Sequence, residues 1–266
     1  MGMQECSDSK RDQWVAAMTD HICQQWDPEI KPDDREYVLL VSAKLWEISV
    51  FVLVKQDLFR YPHYAHVLVR KCSAVEMNAV ATGVGGVLGN KGGVAVSFRV
   101  RETSLCFICC HLAARAERLK ERRENYHKIV RSLRLGLKDY DVLNQFDHVF
   151  WFGDLNYRND TTFEEATQLV EAKDYTKLAS YDQLAQEIAG KNVLYGFKEG
   201  SLSFAPTYRW SKSANEWSNK RGQPPSWTDR VLWRSLPALD TLVQDKYTSA
   251  PNMMGSDHRP VYSTFT

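Results

Sequence analysis

Two rhythms of apolar residues run along this chain. Tyr37-Val38-Leu39-Leu40-Val41 and Ile48-Ser49-Val50-Phe51-Val52-Leu53-Val54 are short runs rich in β-branched and aromatic side chains, a composition that predicts strands. Gly92-Gly93-Val94-Ala95-Val96-Ser97-Phe98 and residues 104–110 predict a second strand pair. Over residues 116–135 the rhythm changes: Leu119, Tyr126, Ile129, Val130 and Leu133 recur at helical spacing with charges between them. Asp147-His148-Val149-Phe150-Trp151-Phe152 is nearly all apolar, as expected of a strand covered on both faces. Helices are predicted over 162–172 and 181–188, the second opened by Ser180, and strands return at 230–233 and 260–265. Strands outnumber helices and the two kinds are interspersed, which predicts a layered α/β sandwich with its chemistry on loops at strand ends. No repeat or low-complexity linker interrupts the pattern, so residues 1–266 read as one continuous domain.

Composition narrows the class. An apolar content of 44% in 266 residues can fill a sizeable core. Lys+Arg 34 against Asp+Glu 33 leaves a net charge of +1, which argues against a role in non-specific nucleic-acid binding. A local cationic pocket for a small anion remains compatible with that balance. Cys106-Phe107-Ile108-Cys109 spells C-x-x-C, but within a strand positions three apart face opposite sides and do not grip one metal. The cysteines therefore read as structural thiols in a reducing compartment. No apolar stretch reaches the roughly 18–20 residues of a membrane span.

The candidate chemistry sits at strand ends. Trp151-Phe152-Gly153-Asp154-Leu155-Asn156-Tyr157-Arg158 places an acid and an amide just past the apolar strand. A carboxylate there can accept a proton from an attacking water, and an amide can donate to a phosphate oxygen; an Asx-turn fits the same residues. Ser256-Asp257-His258-Arg259-Pro260 supplies an Asp-His pair, and His111 closes the run 105–110. Taken singly, these fit a surface pair and a core histidine equally well. The segment Gly83-Val84-Gly85-Gly86-Val87-Leu88-Gly89-Asn90-Lys91-Gly92-Gly93 fits either an anion-binding loop carrying a lysine or a glycine-rich hairpin. Asp229 and Arg230, in Ser226-Trp227-Thr228-Asp229-Arg230-Val231, fit a histidine-orienting acid and a locally paired cation; a buried ion pair without chemistry fits the same residues.

In their order and wording these motifs resemble the inositol polyphosphate 5-phosphatases, a branch of the metal-dependent nucleases and phosphatases that include DNase I. The resemblance passes through Gly2-Met3-Gln4-Glu5, Gly89-Asn90-Lys91-Gly92-Gly93-Val94, His111-Leu112-Ala113-Ala114, residues 152–158, residues 225–233 and residues 256–261. Ala172-Lys173-Asp174-Tyr175, Tyr181-Asp182-Gln183-Leu184 and Phe204-Ala205-Pro206-Thr207-Tyr208 are most similar to the type II group of the Lowe-syndrome phosphatase and the synaptojanins.

The resemblance implies a DNase I-like α/β fold: a four-layer sandwich of two mixed sheets flanked by helices. It implies Mg²⁺ held by Glu5, Asp154 activating water, and Asn156, His111 and His258 on the phosphate. Asp229 would orient His258, and Asp257 would lie beside the metal. Tyr157, Arg158 and Lys173 match positions that bind the neighbouring 4-phosphate, while Lys91 and Arg230 are further substrate candidates. The family normally opens on a strand bearing Thr-Trp-Asn, whose asparagine joins the glutamate at the metal; this sequence starts at the next motif, so the domain is expected to be N-terminally incomplete, with a strand edge exposed. Arg115 also departs from close relatives, at a position that varies. The expected activity is Mg²⁺-dependent removal of the 5-phosphate from phosphatidylinositol 4,5-bisphosphate or related inositol phosphates, without a covalent phospho-enzyme. The expected protein is monomeric and cytoplasmic, works peripherally at membranes and does not bind nucleic acid. The competing readings are an inactive phosphoinositide-binding module, favoured by the missing asparagine, and a nuclease of the same superfamily.

Overall fold

The computed structural model describes residues 1–6, 13–17, 21, 37–55, 58, 72–83, 90–220 and 222–266. Residues 84–89 of the glycine-rich segment lie outside them. The framework is a six-stranded sheet built from β4 (Cys72–Ala81), β5 (Gly92–Val100), β6 (Thr103–His111), β7 (His148–Asp154), β8 (Lys198–Glu199) and β9 (Asp229–Ser235), in the order β4-β5-β6-β7-β9-β8. All neighbours are antiparallel except β6 and β7. A parallel pair needs a crossover, and helix α1 (Leu119–Ser132) lies in the connection between them.

β5 is buried at seven consecutive positions because both of its faces are covered. On one side Ala95 joins Ile108, Cys110 and Trp151 in a core closed by Tyr126 and Ile129 of α1. On the other, Val94, Val96, Phe98 and Cys109 meet Val41, Ala43, Ile48 and Val50. Those last four come from β2 (Tyr37–Leu45) and β3 (Ile48–Lys55), which form a second sheet with the short β1 (Gly2–Met3) in the order β1-β3-β2. A hairpin of β10 (Gln244–Ser249) and β11 (Val261–Phe265) packs beside β9, where Phe265 meets Phe150 and Trp233 edge-on. The expected α/β sandwich is therefore present, and the two cores split the C-x-x-C as predicted. Cys106 faces the helix and Cys109 faces the second sheet, where burial pushes its thiol up to about 12.

Helix boundaries are set by capping. α1 starts at 119 because residues 116–118 form a 3₁₀ turn. α2 (Phe163–Glu171) is opened by Thr162, whose hydroxyl accepts from the Glu165 N–H. α3 (Tyr175–Ala179) is capped by Asp174. The cap of α4 (Gln183–Ala189) is Asp182, which accepts from the Ala185 N–H at 2.9 Å. Ser180, expected to open that helix, instead donates its hydroxyl to the Lys177 carbonyl. β4, β10 and α3 were not foreseen. β4 shows mostly exposed or half-buried positions, and β10 is the polar stretch Gln-Asp-Lys-Tyr-Thr-Ser, so neither carries an apolar run.

Candidate active site

Three adjacent strands deliver three chemical groups on one rung. His111 ends β6, Asp154 ends β7 and Asp229 begins β9; the register pairs His111 with Asp154 and Asp154 with Asp229. His258 arrives from the loop before β11, its Nδ1 2.9 Å from Asp229 Oδ2. Single ligand atoms of Asp154, Asp229 and His258 all lie within 4.8 Å of one another. The rung borders a cleft of about 270 Å³ lined by Glu5, Lys91, His111, Ala114, Arg115, Asp154, Asn156, Arg158, Tyr208, Arg209, Lys212, Gln223, Asp257 and His258. Five of these carry Lys or Arg cations against three carboxylates, so a chain of net charge +1 concentrates positive charge where an anion would enter.

Asp154 is 6% exposed and held from several sides. The Asn156 side-chain amide donates to its Oδ2 at 3.0 Å and the Asn156 backbone N–H to its Oδ1 at 3.0 Å. His111 Nε2 lies 3.3 Å from Oδ2. Burial opposes charge on this carboxyl, but His111, His258 and Arg158 outweigh it and hold the group well below the usual carboxylate range. For His258 burial likewise opposes charge; Asp229, Asp154 and Asp257 overcome it and raise the imidazole to about 9. Thr207 and Thr228 both donate hydroxyls to Asp229 Oδ2, at 2.6 and 2.8 Å, which fixes the acid that orients the ring.

Asn156 sits in the left-handed region at φ 57, a conformation asparagine tolerates better than most residues. Its amide N–H groups go to Asp154 and to the Leu112 carbonyl, and its Oδ1 accepts from Arg158 Nη2 at 2.5 Å. It thus orients the acid in this state rather than presenting a vacant donor. Arg158 also donates to Gln223 and lies over the Tyr208 ring, 4.4 Å from its centroid. Lys91 Nζ is 2.7 Å from His111 Nε2, and burial lowers the lysine's affinity for its proton. Asp257 pairs with Arg209 at 3.2 Å and Lys212 at 3.5 Å. Glu5, in the left-handed region at φ 57, faces the same cleft from the end of β1.

Three sequence-derived substrate groups do not line this cleft. Arg230 is buried with Glu199 at 2.6 Å and both carboxylate oxygens of Asp182 at 3.0 Å, so its fork is used in an internal ion triad. Tyr157 is 1% exposed and packs into the helix-side core. Lys173 is exposed in the turn after α2, outside the cleft lining. Arg115 does line the cleft, so the departure there bears on the site. Arg209, Lys212 and Gln223 were missed because their loop carries no strand or helix rhythm.

One buried cation behind the site was also missed. Arg122 of α1 is fully buried and donates to four neutral oxygens: the carbonyls of Ala113, Arg115 and Ala116 and Gln183 Oε1. Gln183 Oε1 also accepts the Arg158 N–H at 3.1 Å. The guanidinium stands 5.1 Å from the Tyr157 ring centroid, so it ties the loop after His111 to the loop after Asp154. Burial lowers its pKa to about 10, which leaves it charged at neutral pH.

The donor set suits a hard divalent cation: Glu5, Asp154, Asn156 and Asp257 offer oxygens to one cleft, and among the described residues no cysteine lines it.

A family model described as endonuclease/exonuclease/phosphatase family 2 matches residues 1–264. Phosphatidylinositol 3,4,5-trisphosphate 5-phosphatase 2A of Danio rerio is 37% identical over 243 residues, covering 87% of this chain and 18% of the relative. The human phosphatidylinositol 3,4,5-trisphosphate 5-phosphatase 2 gives the same identity and coverage. The chain thus spans 18% of the length of these curated relatives. Among solved structures, the inositol polyphosphate 5-phosphatase domain of SPsynaptojanin, in complex with inositol (1,4)-bisphosphate and calcium ion, is 31% identical with a TM-score of 0.84. That match covers 99% of this chain and 73% of the other. Built on a DNase I-like α/β sandwich whose sheet register assembles the site, this chain belongs to the inositol polyphosphate 5-phosphatase family.

Proposed function

We propose that this domain catalyses Mg²⁺-dependent hydrolysis of the 5-phosphate of phosphatidylinositol 4,5-bisphosphate or a related inositol phosphate. The observation that carries this reading is the His111–Asp154–Asp229 rung with His258, set at a cleft lined by five Lys and Arg side chains. Asp154 is buried yet ionised, and oriented through both carboxylate oxygens, so it is poised to align an attacking water and take its proton. His258 carries a positive charge below about pH 9 and donates toward charge that builds on the phosphate. Lys91, Arg158, Arg209 and Lys212 steer and hold the anionic headgroup. Glu5 and neighbouring oxygens would hold the Mg²⁺, which when bound polarises phosphoryl oxygen. Attack by water directly is supported by the cleft lining, which among the described residues holds no serine or cysteine.

The domain would meet its headgroup in the cytoplasm, as a monomer at a membrane surface or on soluble inositol polyphosphates. The names of the Danio rerio and human relatives add the 3,4,5-trisphosphate lipid to the substrates worth testing. Phosphate release from short-chain phosphatidylinositol 4,5-bisphosphate is measured with Mg²⁺ and with EDTA, with the 4-phosphate lipid as control. Mg²⁺-dependent release from the bisphosphate and none from the control is expected. Headgroup binding without release would overturn the catalytic reading and make this a phosphoinositide-binding module.

A further inference from the structure

Among the described residues five cations line the cleft, and four of them already have partners there. Lys91 Nζ lies 2.7 Å from His111 Nε2. Arg158 gives one guanidinium nitrogen to Asn156 and another to Gln223. Arg209 and Lys212 both reach Asp257, at 3.2 and 3.5 Å. The fifth is Arg115. It is exposed, its side chain does not cap the 3₁₀ turn that follows it, and among the described residues its guanidinium makes no hydrogen bond or ion pair. Its whole N–H fork is uncommitted.

The backbone beneath this side chain is firmly held. Arg115 sits at φ 80 and ψ 143, a conformation that residues other than glycine rarely adopt. Such a conformation persists only where the surroundings enforce it, and here the buried Arg122 does so. Arg122 donates to the Arg115 carbonyl at 2.5 Å, and to the flanking carbonyls of Ala113 and Ala116 at 3.2 and 3.1 Å. An enforced backbone under a cation with no partner in the protein is the pattern of a ligand clamp. Depth says which part of the ligand it meets. His111 and Asp154 on the rung are 1% and 6% exposed, whereas Arg115 is an exposed residue of the same lining. It therefore stands at the mouth, away from the phosphate that the rung would cleave and where a further phosphate on the same ring would lie. A planar guanidinium matches a phosphate in bidentate geometry.

We propose that Arg115 is a specificity-determining residue that grips a second phosphate of the headgroup, so that the cleft selects multiply phosphorylated rings over a ring bearing the scissile phosphate alone. Which phosphate is cleaved rests on the 5-phosphatase reading; the grip on the second one does not. The test compares wild type with Arg115→Gly, which suits the backbone, and Arg115→Lys, which keeps the charge without the fork. Steady-state kinetics is run on inositol 1,4,5-trisphosphate and on inositol 5-phosphate, and calorimetry measures the affinity for both in EDTA. The glycine variant should lose about tenfold or more in kcat/KM for the trisphosphate, carried by KM rather than kcat. Its loss for the monophosphate should be several-fold smaller, and the lysine variant should fall between glycine and wild type on the trisphosphate. Equal losses for the two substrates overturn the proposal, since a contact with the scissile phosphate alone would give that result. A lysine variant that matches wild type overturns it too, because charge at the mouth would then attract without gripping. Failure of wild type to release phosphate from either ring would sink the 5-phosphatase reading alone, because the calorimetric affinities still decide whether Arg115 tells the two rings apart.

Discussion

Asp154 is stripped of water by burial, and two histidines, an amide and an arginine keep its charge in place. Replacing it with alanine should reduce phosphate release by about 10³-fold or more while the chain stays folded, since Leu155 and Trp151 hold the strand end independently; steady-state kinetics with thermal unfolding checks both halves. Asp229 touches His258, its Oδ2 2.9 Å from the ring Nδ1. The imidazole's folded pKa of about 9 lies above its ordinary 6.5, so its contribution to stability is complete below pH 6.5 and is lost as pH rises through about 9. Asp229→Asn should flatten that alkaline decline in thermal unfolding of the metal-free protein and move the alkaline limb of kcat/KM to lower pH. An unchanged alkaline limb would show that Asp229 does not tune the ring. At this scale the sequence was legible where a polar residue ends an apolar strand, as at His111 and Asp154. Arg230, Tyr157 and Lys173, expected at the substrate, do not line the cleft, because adjacency in sequence does not say which way a side chain turns. Arg158 reaches the cleft while its neighbour Tyr157 points into the core.

Helix α1 shows what an element contributes beyond its own residues. Its Ile129 is fully buried over Gly93 of β5, where an added Cβ would come within 3.0 Å of Ile129 Cγ2 and 3.3 Å of Cys110 Sγ. Gly93→Ala should therefore cost about 1–3 kcal/mol by overpacking, and Ile129→Ala about 2–5 kcal/mol by the cavity it leaves. The double variant should cost less than the sum, since the smaller residue at 129 makes room for the methyl group; urea unfolding of the three variants measures the coupling. Arg122→Met, which keeps an unbranched stem but strips four oxygens of their donor, should cost about 3 kcal/mol and lower kcat as well, because the loops it joins carry His111 and Asp154. A variant destabilised to that degree but with full kcat would confine Arg122 to a structural role. The helical rhythm of α1 was plain in the sequence, whereas the buried Arg122 looked like one more charge on its solvent face. β4 and β10 were silent because one face of each meets water and their residues alternate too weakly to register.

For the whole molecule, a formal charge of +1 conceals an uneven distribution. Among the described residues five cations line the cleft, so KM for an inositol polyphosphate should rise with ionic strength, by a factor of several between about 50 and 200 mM salt as the Debye length shortens; an indifferent KM would mean that the cleft cations are internally neutralised by Asp154 and Asp257. The sandwich itself was legible from the order of strands and helices. How β2, β3 and the β10–β11 hairpin are arranged against the main sheet was not, because partner choice between distant strands leaves no local trace.

The rung of β6, β7 and β9 also sets where the chain tolerates change in length. One residue inserted into or deleted from any of the three strands turns its terminal group to the opposite face and takes it out of line with its neighbours. A residue gained or lost beyond the rung, in the segments around 114, 212 or 253, leaves the acid, its histidines and its orienting carboxylate where they are. Lineages can therefore lengthen, shorten or recharge those loops, and so change what the cleft meets, while the rung itself is inherited intact.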